Sequence, residues 1–319
     1  MSARRGVVYT VAAILMLLAV GALFFTQARR TGRDAGDAVD ERVRSIDRFI
    51  ADFRTDSDRA ARIAGFRALI AMEQHVASTG AYITGADAAF LDIFWDGNLT
   101  NTSFQVMANS SFSEYLLRIR TEGARQGIAV NASVEGIGLW QEDPWNLLVN
   151  YTILANISDT RGTARWSTSW NGTGRVPITD LRDPLFTAET LSRVQRVIRR
   201  TNVTEFVDDA ADRNDTSGLV AHYNASLYAA LGRGPDILMR FAGNWSDSQY
   251  GIESLADTDE LDAQDLIVDT GASVVDYLYF NGTPATACSI QNLPSRLILD
   301  SASADLYGVT GALTSSICP

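Results

Sequence analysis

The sequence of 319 residues contains no lysine, and histidine and cysteine occur only twice each, at His75, His222, Cys288 and Cys318. A chain without lysine has no P-loop, no Schiff-base chemistry and no Ser-Lys dyad. The two histidines lie outside any H-E-x-x-H pattern, so material for a histidine metal site or a Ser-His-Asp triad is scarce. The G-x-S-x-G and G-x-G-x-x-G motifs are also absent. We therefore predict that the protein is not an enzyme and has no catalytic residues, no metal and no cofactor.

Positive charge is scarce as well, because 27 arginines face 38 acidic residues and leave a formal net charge of −11. Nucleic-acid binding needs a basic patch, so this acidic balance predicts that the protein has no nucleic-acid partner. The composition resembles that of proteins from salt-adapted archaea, because it is acidic and contains arginine but no lysine.

Residues 7–25 form a long uncharged apolar run, VVYTVAAILMLLAVGALFF. As a helix this run reaches about 28 Å, close to the roughly 30 Å hydrocarbon core of a bilayer. It predicts a transmembrane helix and a membrane anchor over residues 1–30. A cleaved secretory signal is the main alternative, since Arg4 and Arg5 precede the run, but no A-x-A-like cleavage site follows it.

Asparagine is concentrated in glycosylation sequons. Twelve of the fourteen asparagines begin N-x-[ST]: Asn98, Asn101, Asn109, Asn131, Asn150, Asn156, Asn171, Asn202, Asn214, Asn224, Asn244 and Asn281. This bias predicts glycans and hence a location outside the cytoplasm. The arginine count points the other way, because Arg29, Arg30 and Arg33 after the apolar run outnumber Arg4 and Arg5 before it. Large domains translocate largely regardless of charge, so we predict a single-pass protein of the cell membrane with its C-terminal ectodomain outside.

Both cysteines lie near the C-terminus, on the predicted oxidising side of the membrane. We predict a disulfide between Cys288 and Cys318, which would stabilise the closed loop by about 3–4 kcal/mol. Two separately buried thiols are the alternative.

A second long pattern follows residues 29–37, a polar segment typical of a hinge. Between residues 39 and 76 apolar side chains recur every three or four positions, which predicts an amphipathic helix. Residues 31–82 are therefore predicted to form a stalk and amphipathic helix, whose apolar stripe packs on the rest of the chain or on another copy.

The period changes from helix to strand near residue 128. Asn150 and Asn156 lie on one face of a predicted strand, and its other face is apolar, with Leu147, Val149, Tyr151, Ile153, Ala155 and Ile157. This alternation predicts a three-stranded antiparallel meander over residues 128–178, packed on helices. The predicted fold class is α+β: an N-terminal transmembrane helix continuing into a long amphipathic helix, then a glycosylated ectodomain, residues 83–319, that contains the small meander.

Shorter patterns fill the rest of the ectodomain. Apolar periodicity and stop signals predict helices at residues 87–95, 113–126, 187–200 and 219–231. Runs rich in β-branched and aromatic residues predict strands at residues 273–280 and 296–300.

Two residue classes offer alternatives to a purely structural protein. Acidic clusters at residues 208–215 and 257–265 have the ligand type for Ca²⁺, but the second lacks the EF-hand glycine, and a helix start or solvated face is the preferred interpretation. A sugar-binding platform is the alternative to core packing for the tryptophans Trp140, Trp145, Trp166, Trp170 and Trp245.

Several segments together resemble a family of archaeal membrane-anchored, extracytoplasmic proteins of unassigned activity with type IV pilin-like N-termini: RRGVVYTVAAILMLL, EDPWNLLVNYTILANISDTRGTARW, LRDPLF, YGIESL, SVVDYLYF and LDSASADLYG. Arg5 and Gly6 followed by Val7 and Val8 resemble a class III signal, which a dedicated peptidase cleaves after the glycine. The resemblance implies processing between Gly6 and Val7, with the apolar helix retained on the mature protein. It implies no reaction.

We therefore predict a single-pass structural or interaction protein of the cell surface, a pilin-like or pilus-associated subunit of an archaeal envelope. Its predicted partners are the membrane and other pilus or envelope subunits. A ligand-binding or adhesive ectodomain of a membrane complex is the alternative. A carboxylate-dependent hydrolase, which would need two inward-facing carboxylates in a cleft, is the least favoured. The sequence does not identify a small-molecule ligand.

Overall fold

The computed structural model describes residues 3–100, 102–162, 164–207, 215–282, 287–289 and 297–309. Its helices are α1 Ala3–Thr79, α2 Ala86–Asp96, α3 Phe112–Arg125, α4 Pro184–Glu189, α5 Ser217–Asn224, α6 Ile237–Ala242, α7 Thr258–Ala263, α8 Asp276–Phe280 and α9 Ser301–Leu306. Its strands are β1 Asn98–Leu99, β2 Thr102–Ser103, β3 Ile128–Asp143, β4 Asn146–Asp159, β5 Arg165–Pro177, β6 Ala287–Ser289 and β7 Ile298–Asp300. The mixed α+β character of the prediction agrees with these elements.

The long strands form the antiparallel sheet β3-β4-β5, which confirms the meander predicted over residues 128–178. Burial alternates along β4, and every side chain of the predicted apolar face is buried: Leu147, Val149, Tyr151, Ile153, Ala155 and Ile157. Two short antiparallel pairs, β1 with β2 and β6 with β7, lie outside this sheet. The alternation of apolar and polar residues in the sequence therefore predicts this sheet correctly.

The predicted transmembrane helix is not found. Within the part of the chain that the structure describes, no helix contains a stretch long and apolar enough to cross a bilayer. The predictions of a transmembrane helix and of a single-pass location in the cell membrane with the ectodomain outside are therefore wrong.

Helix α1 also differs from the prediction at residues 29–37, where it continues without the expected hinge. The sequence places Arg30 four residues before Asp34 and Arg33 four residues before Asp37, a spacing that supports a helix. Further along, the buried side chains of α1 recur every three or four residues, which agrees with the amphipathic helix predicted over residues 39–76: Ile46, Ile50, Phe53, Ala61, Ala64, Ala68, Leu69, Met72 and Val76.

The chain divides into two compact units, each made of several segments. The first unit comprises Met1–Asp56, Ile119–Ala132 and Ala155–Thr168, and the second comprises Ser57–Arg118, Ser133–Leu154 and Ser169–Pro319. In the first unit the Arg42 guanidinium donates to Asp159 over 2.8 Å and to the Gly127 carbonyl oxygen. This ion pair links α1 to the end of β4. The Asp159 side chain is almost fully buried.

The second unit contains a hydrophobic core built from residues between 185 and 309. Its buried members include Leu185, Phe186, Leu219, Leu255, Val275 and Leu299. In the same unit α1 contacts the sheet through Asp58, whose carboxylate accepts from the Tyr151 hydroxyl at 2.7 Å and from the Thr173 amide at 2.9 Å. The sheet is thus fixed to the helix by polar contacts as well as by apolar packing.

Gly174 allows β5 to approach α1 closely. A Cβ atom at this position would lie 2.8 Å from the Ala61 carbonyl carbon and 2.9 Å from the Arg62 nitrogen. We expect Gly174→Ala to lower the free energy of unfolding by about 1–3 kcal/mol, because helix and strand must move apart. Urea denaturation of the full chain measures this loss. Gly136→Ala in β3 is the control, since a Cβ there has no atom within 4 Å. Equal stability of the two variants would contradict the prediction.

Three predicted elements differ from the structure. The helix predicted at residues 187–200 is the shorter α4, which ends before Leu191 and Ser192, both with left-handed backbone at φ 51° and 64°. The helix predicted at residues 219–231 ends at Asn224 as α5. The strand predicted at residues 273–280 is instead the helix α8, whose first residue, Asp276, is fully buried and polar. In each case tertiary contacts outweigh the local pattern.

Candidate functional site

The predicted glycosylation sequons lie at the surface. Ten of the twelve asparagines are described; nine of them are exposed and Asn150 is half-buried, while Asn101 and Asn214 lie outside the described residues. Asn150 and Asn171 are linked across β4 and β5, because the Thr173 hydroxyl donates to Asn150 Oδ1 and the Thr152 hydroxyl donates to Asn171 Oδ1, each over 2.9 Å. Each of these two sequons therefore uses its hydroxyl to hold the asparagine of the other.

The predicted disulfide involves a residue outside the described part of the chain. Cys288 lies in β6, whereas Cys318 lies outside the described residues. The described residues therefore give no support to the predicted Cys288–Cys318 disulfide. The predicted processing residues Gly6 and Val7 lie within α1, and cleavage between them stays a prediction.

The acidic clusters act as helix caps where the structure describes them. Asp257 caps α7, and its Oδ1 accepts from the amides of Asp259 and Glu260 and from the Tyr223 hydroxyl. Asp215 accepts from the Ser217 amide at the start of α5. A search of the described residues finds no group of three or more His, Cys, Asp or Glu side chains that would hold a metal ion. The helix-start interpretation therefore accounts for Asp257 and Asp215.

The tryptophans considered as a platform have different environments. The Arg200 guanidinium lies 5.7 Å from the centre of the Trp145 ring, Trp245 meets Tyr82 edge to face, and Trp170 donates to Ser57. Trp166 is half-buried in β5, whereas Trp140, near the end of β3, is 46% exposed. The second unit therefore presents Trp140 as an exposed ring.

A buried charge cluster, which sequence analysis did not predict, lies in the second unit. We define it as Asp183, Arg240, Asp276 and Glu253. Arg240 Nη1 donates to Asp183 over 2.6 Å, and Nη2 donates to Asp276 over 3.0 Å, with all three side chains at zero exposure. The Tyr228 hydroxyl donates to Asp183 at 2.7 Å, and the amide and hydroxyl of Ser254 both donate to Asp276 at 2.9 Å. The two carboxylates are therefore well satisfied by charge and hydrogen bonds.

Local sequence places each partner of the cluster. Asp183 is the N-cap of α4 and accepts from the Leu185 amide, with Pro184 in the first helical position. Arg240 lies in the otherwise apolar helix α6, ILMRFA. A single charged residue in an apolar run is the feature of the sequence that points to the cluster. Burial lowers the pKa of this guanidinium, but the neighbouring Asp183 and Asp276 outweigh it and raise the pKa above its usual value.

Glu253 is the fourth member of the cluster and differs from the two aspartates. Its carboxyl oxygens make no close hydrogen bond among the described residues, and the Tyr307 hydroxyl is a neighbouring side-chain donor. Burial, helped by the negative charge of Asp276, raises the pKa of Glu253 to about 8. The residue is therefore mostly protonated at neutral pH, and the cluster then carries one positive and two negative charges.

The two histidines lie in packed environments. His75 on α1 meets the ring of Phe104 edge to face. His222 is fully buried between Phe206 and Tyr307, with its Nδ1 3.2 Å from the Thr201 hydroxyl. Burial lowers the pKa of His222 to about 4, so the ring is neutral at physiological pH.

Residues 15–25 of α1 expose large apolar side chains on every side of the helix. Eight of them are 48–76% exposed: Leu15, Met16, Leu17, Leu18, Val20, Leu23, Phe24 and Phe25. We call residues 15–25 the apolar segment. Single exposed apolar side chains are ordinary on protein surfaces, but a contiguous set of this kind marks an interaction site.

Comparison of the chain with models of known protein families, with curated proteins and with solved structures finds no match.

Proposed function

We propose that the protein is a structural, non-catalytic subunit that assembles with further copies of itself through the apolar segment of α1, in the manner of a pilin-like subunit. The observation that supports this proposal most directly is the exposure of eight large apolar side chains around one helix. Covering one such side chain stabilises by about 1.5–3 kcal/mol. A helix that is apolar on all sides is normally surrounded by other protein or by lipid, and neighbouring copies of the same helix supply that cover.

The charge of the neighbouring part of α1 favours a second copy over an unrelated partner. Residues 39–56 contain five acidic residues and four arginines, so this stretch is nearly neutral although the whole chain carries a net charge of −11. Most of these charged side chains are exposed, among them Asp40, Arg44, Asp47 and Arg48. Like copies packed side by side therefore meet mixed charges rather than one repelling sign.

Small residues within the apolar segment permit close packing. Ala19, Gly21 and Ala22 interrupt the large side chains, and a Cβ placed on Gly21 would have no atom within 4 Å. Small residues on one helix face let two backbones approach closely. The resemblance of the N-terminal sequence to pilin-like subunits favours the same arrangement, a bundle of N-terminal helices.

The test is the concentration dependence of the mass of the full chain, measured by sedimentation velocity. We expect the wild-type chain to associate, and Leu18→Glu with Phe24→Glu to weaken association at least tenfold, because two buried charges in a helix bundle lack partners. Gln74→Glu is the control, since it adds one negative charge to α1 at an exposed position outside the apolar segment. A wild-type chain that stays monomeric, or a double variant that associates like the control, would refute the proposal.

A further inference from the structure

The charges of this chain are divided unequally between its two compact units. The first unit contains thirteen arginines and nine acidic residues, whereas the second contains fourteen arginines and twenty-nine acidic residues. Their formal net charges are therefore +4 and −15, which together give the −11 of the whole chain. Copies that meet through like units repel each other, whereas a contact between the first unit of one copy and the second unit of another joins opposite charges.

The first unit contains a pocket of about 380 Å³ in which an uncompensated positive charge lies beside an apolar side chain. We call it the arginine pocket, and its lining residues are Val39, Arg42, Gln126, Gly127, Asp159, Thr160 and Arg161. The charge of the buried Asp159 is balanced by Arg42, which donates to it over 2.8 Å.

Arg161 supplies the positive charge of the arginine pocket. It is exposed in the turn between β4 and β5, and the ion pairs found among the described residues do not include it. Val39, on the same pocket wall, is 43% exposed. The pocket therefore suits a partner that combines a carboxylate with an apolar side chain.

The second unit presents that combination at residues 265–269, DLIVD, which we call the acidic segment. Leu266 and Val268 are half-buried and pack against the hydrophobic core. The other three side chains are exposed: Asp265, Ile267 and Asp269. Ile267 is 98% exposed, so this apolar side chain gains no cover from the described part of its own chain. The alternation places an uncovered isoleucine between two carboxylates.

We propose that the arginine pocket of one copy binds the acidic segment of another copy. Ile267 packs against Val39, while the carboxylate of Asp269 accepts from the Arg161 guanidinium in a charge-assisted hydrogen bond. This inference rests on the proposed self-assembly, because the apolar segment holds copies together and so raises the effective concentration of the two surfaces. The two surfaces are unlike, so the contact is heterologous and joins copies in a ring or an open row.

The experiment is an exchange of charges, measured by sedimentation velocity of the full chain. Arg161→Glu makes the pocket acidic, and Asp269→Arg makes the segment basic. Both positions are exposed, so both variants are expected to fold. Each variant alone brings like charges together, and we expect its association to weaken about tenfold. An equimolar mixture should restore association, because the acidic pocket then meets the basic segment and the unchanged pocket meets the unchanged segment.

The controls are Arg120→Glu and Asp92→Arg. They make the same charge changes in the same two units, at exposed positions outside the arginine pocket and the acidic segment. Both should associate like the wild-type chain, alone and when mixed. Ile267→Ala tests the apolar part of the contact and should weaken association without changing the charge.

Three outcomes would overturn the inference. In the first, the mixture associates no better than Arg161→Glu or Asp269→Arg alone. In the second, these variants associate like the wild type while Leu18→Glu with Phe24→Glu does not, which would leave assembly through the apolar segment intact. In the third, the wild-type chain stays monomeric, which would overturn both proposals.

Discussion

Replacing Arg240 by methionine should lower the free energy of unfolding by about 3–5 kcal/mol, because it leaves the carboxylates of Asp183 and Asp276 buried without a counter-charge. Methionine has a similar length and keeps the apolar contacts of the side chain, so the loss reports the charge and its hydrogen bonds. Urea denaturation at pH 7, followed by circular dichroism, gives the midpoint and slope for both proteins. If the methionine variant does not fold, Arg240→Lys, which keeps the charge but not the forked geometry, should fold with reduced stability.

The control is Arg233→Met, in the loop before α6. Arg233 is partly exposed, and its Nε lies 3.8 Å from Asp247 Oδ2, so the ion pair is screened by water. Its loss should cost less than about 1 kcal/mol. A loss of stability for Arg240→Met as small as that of Arg233→Met would contradict this prediction.

The second large effect concerns pH. Glu253 has an ordinary pKa of 4.5, and burial together with Asp276 raises the pKa to about 8 in the folded protein. Between these two values the folded chain keeps a proton that the unfolded chain has lost. Stability therefore falls as pH rises from 4.5 to 8, with a slope of up to about 1.4 kcal/mol per pH unit, and is level above pH 8. Glu253→Gln removes this slope, because the amide has nearly the same shape and never ionises.

We expect Glu253→Gln and the wild-type chain to have similar stability near pH 4.5, and the variant to be more stable by several kcal/mol at pH 9. The measurement is the midpoint of urea denaturation at a series of pH values. Glu135→Gln, at an exposed position on β3, is the control and should follow the wild-type curve. Parallel curves for Glu253→Gln and the wild type would show that Glu253 ionises normally in the folded state.

His222 has the opposite pH dependence and does not disturb this comparison. Its pKa is lowered by burial from 6.5 to about 4, so the unfolded chain binds a proton in this range that the folded chain does not. Its contribution to stability is present above pH 6.5 and is lost as pH falls towards 4. The histidine is the same in both proteins, so its effect cancels in their difference. In the wild type the two slopes offset each other between about pH 4.5 and 6.5.

The sequence predicts those helices and strands whose signals lie close together along the chain. The strand alternation from Leu147 to Ile157 and the helices α2 and α3 were predictable, since period and end signals lie within a few residues of each other. The segment SVVDYLYF was interpreted as a strand because its residues favour strands, yet Asp276 begins a helix there. Its carboxylate bonds to Arg240 and Ser254, which lie 36 and 22 residues away. Contacts at that distance leave no local signal.

Trp140 shows the same limit at a smaller scale. Trp140 was visible as a candidate, because an aromatic residue can be identified from its type alone. Its exposure of 46% was not predictable, since it depends on which distant parts of the chain pack beside the ring. The composition of the apolar segment correctly indicates that its side chains need to be covered. The prediction that a bilayer covers them is wrong. Composition shows that a surface must be covered and does not show by what.

The close contact at Gly174 constrains the order in which this chain becomes structured during synthesis. Asp58 on α1 bonds to the Thr173 amide, 115 residues later. At a synthesis rate of about 5–20 residues per second, roughly 6–23 s separate the appearance of the two partners on the ribosome. During that interval the alanine-rich face around Ala61 has no β5 to cover it. Helix and strand therefore reach their final stability together, only after β5 has been made, and the nascent chain must keep that face away from other nascent chains until then.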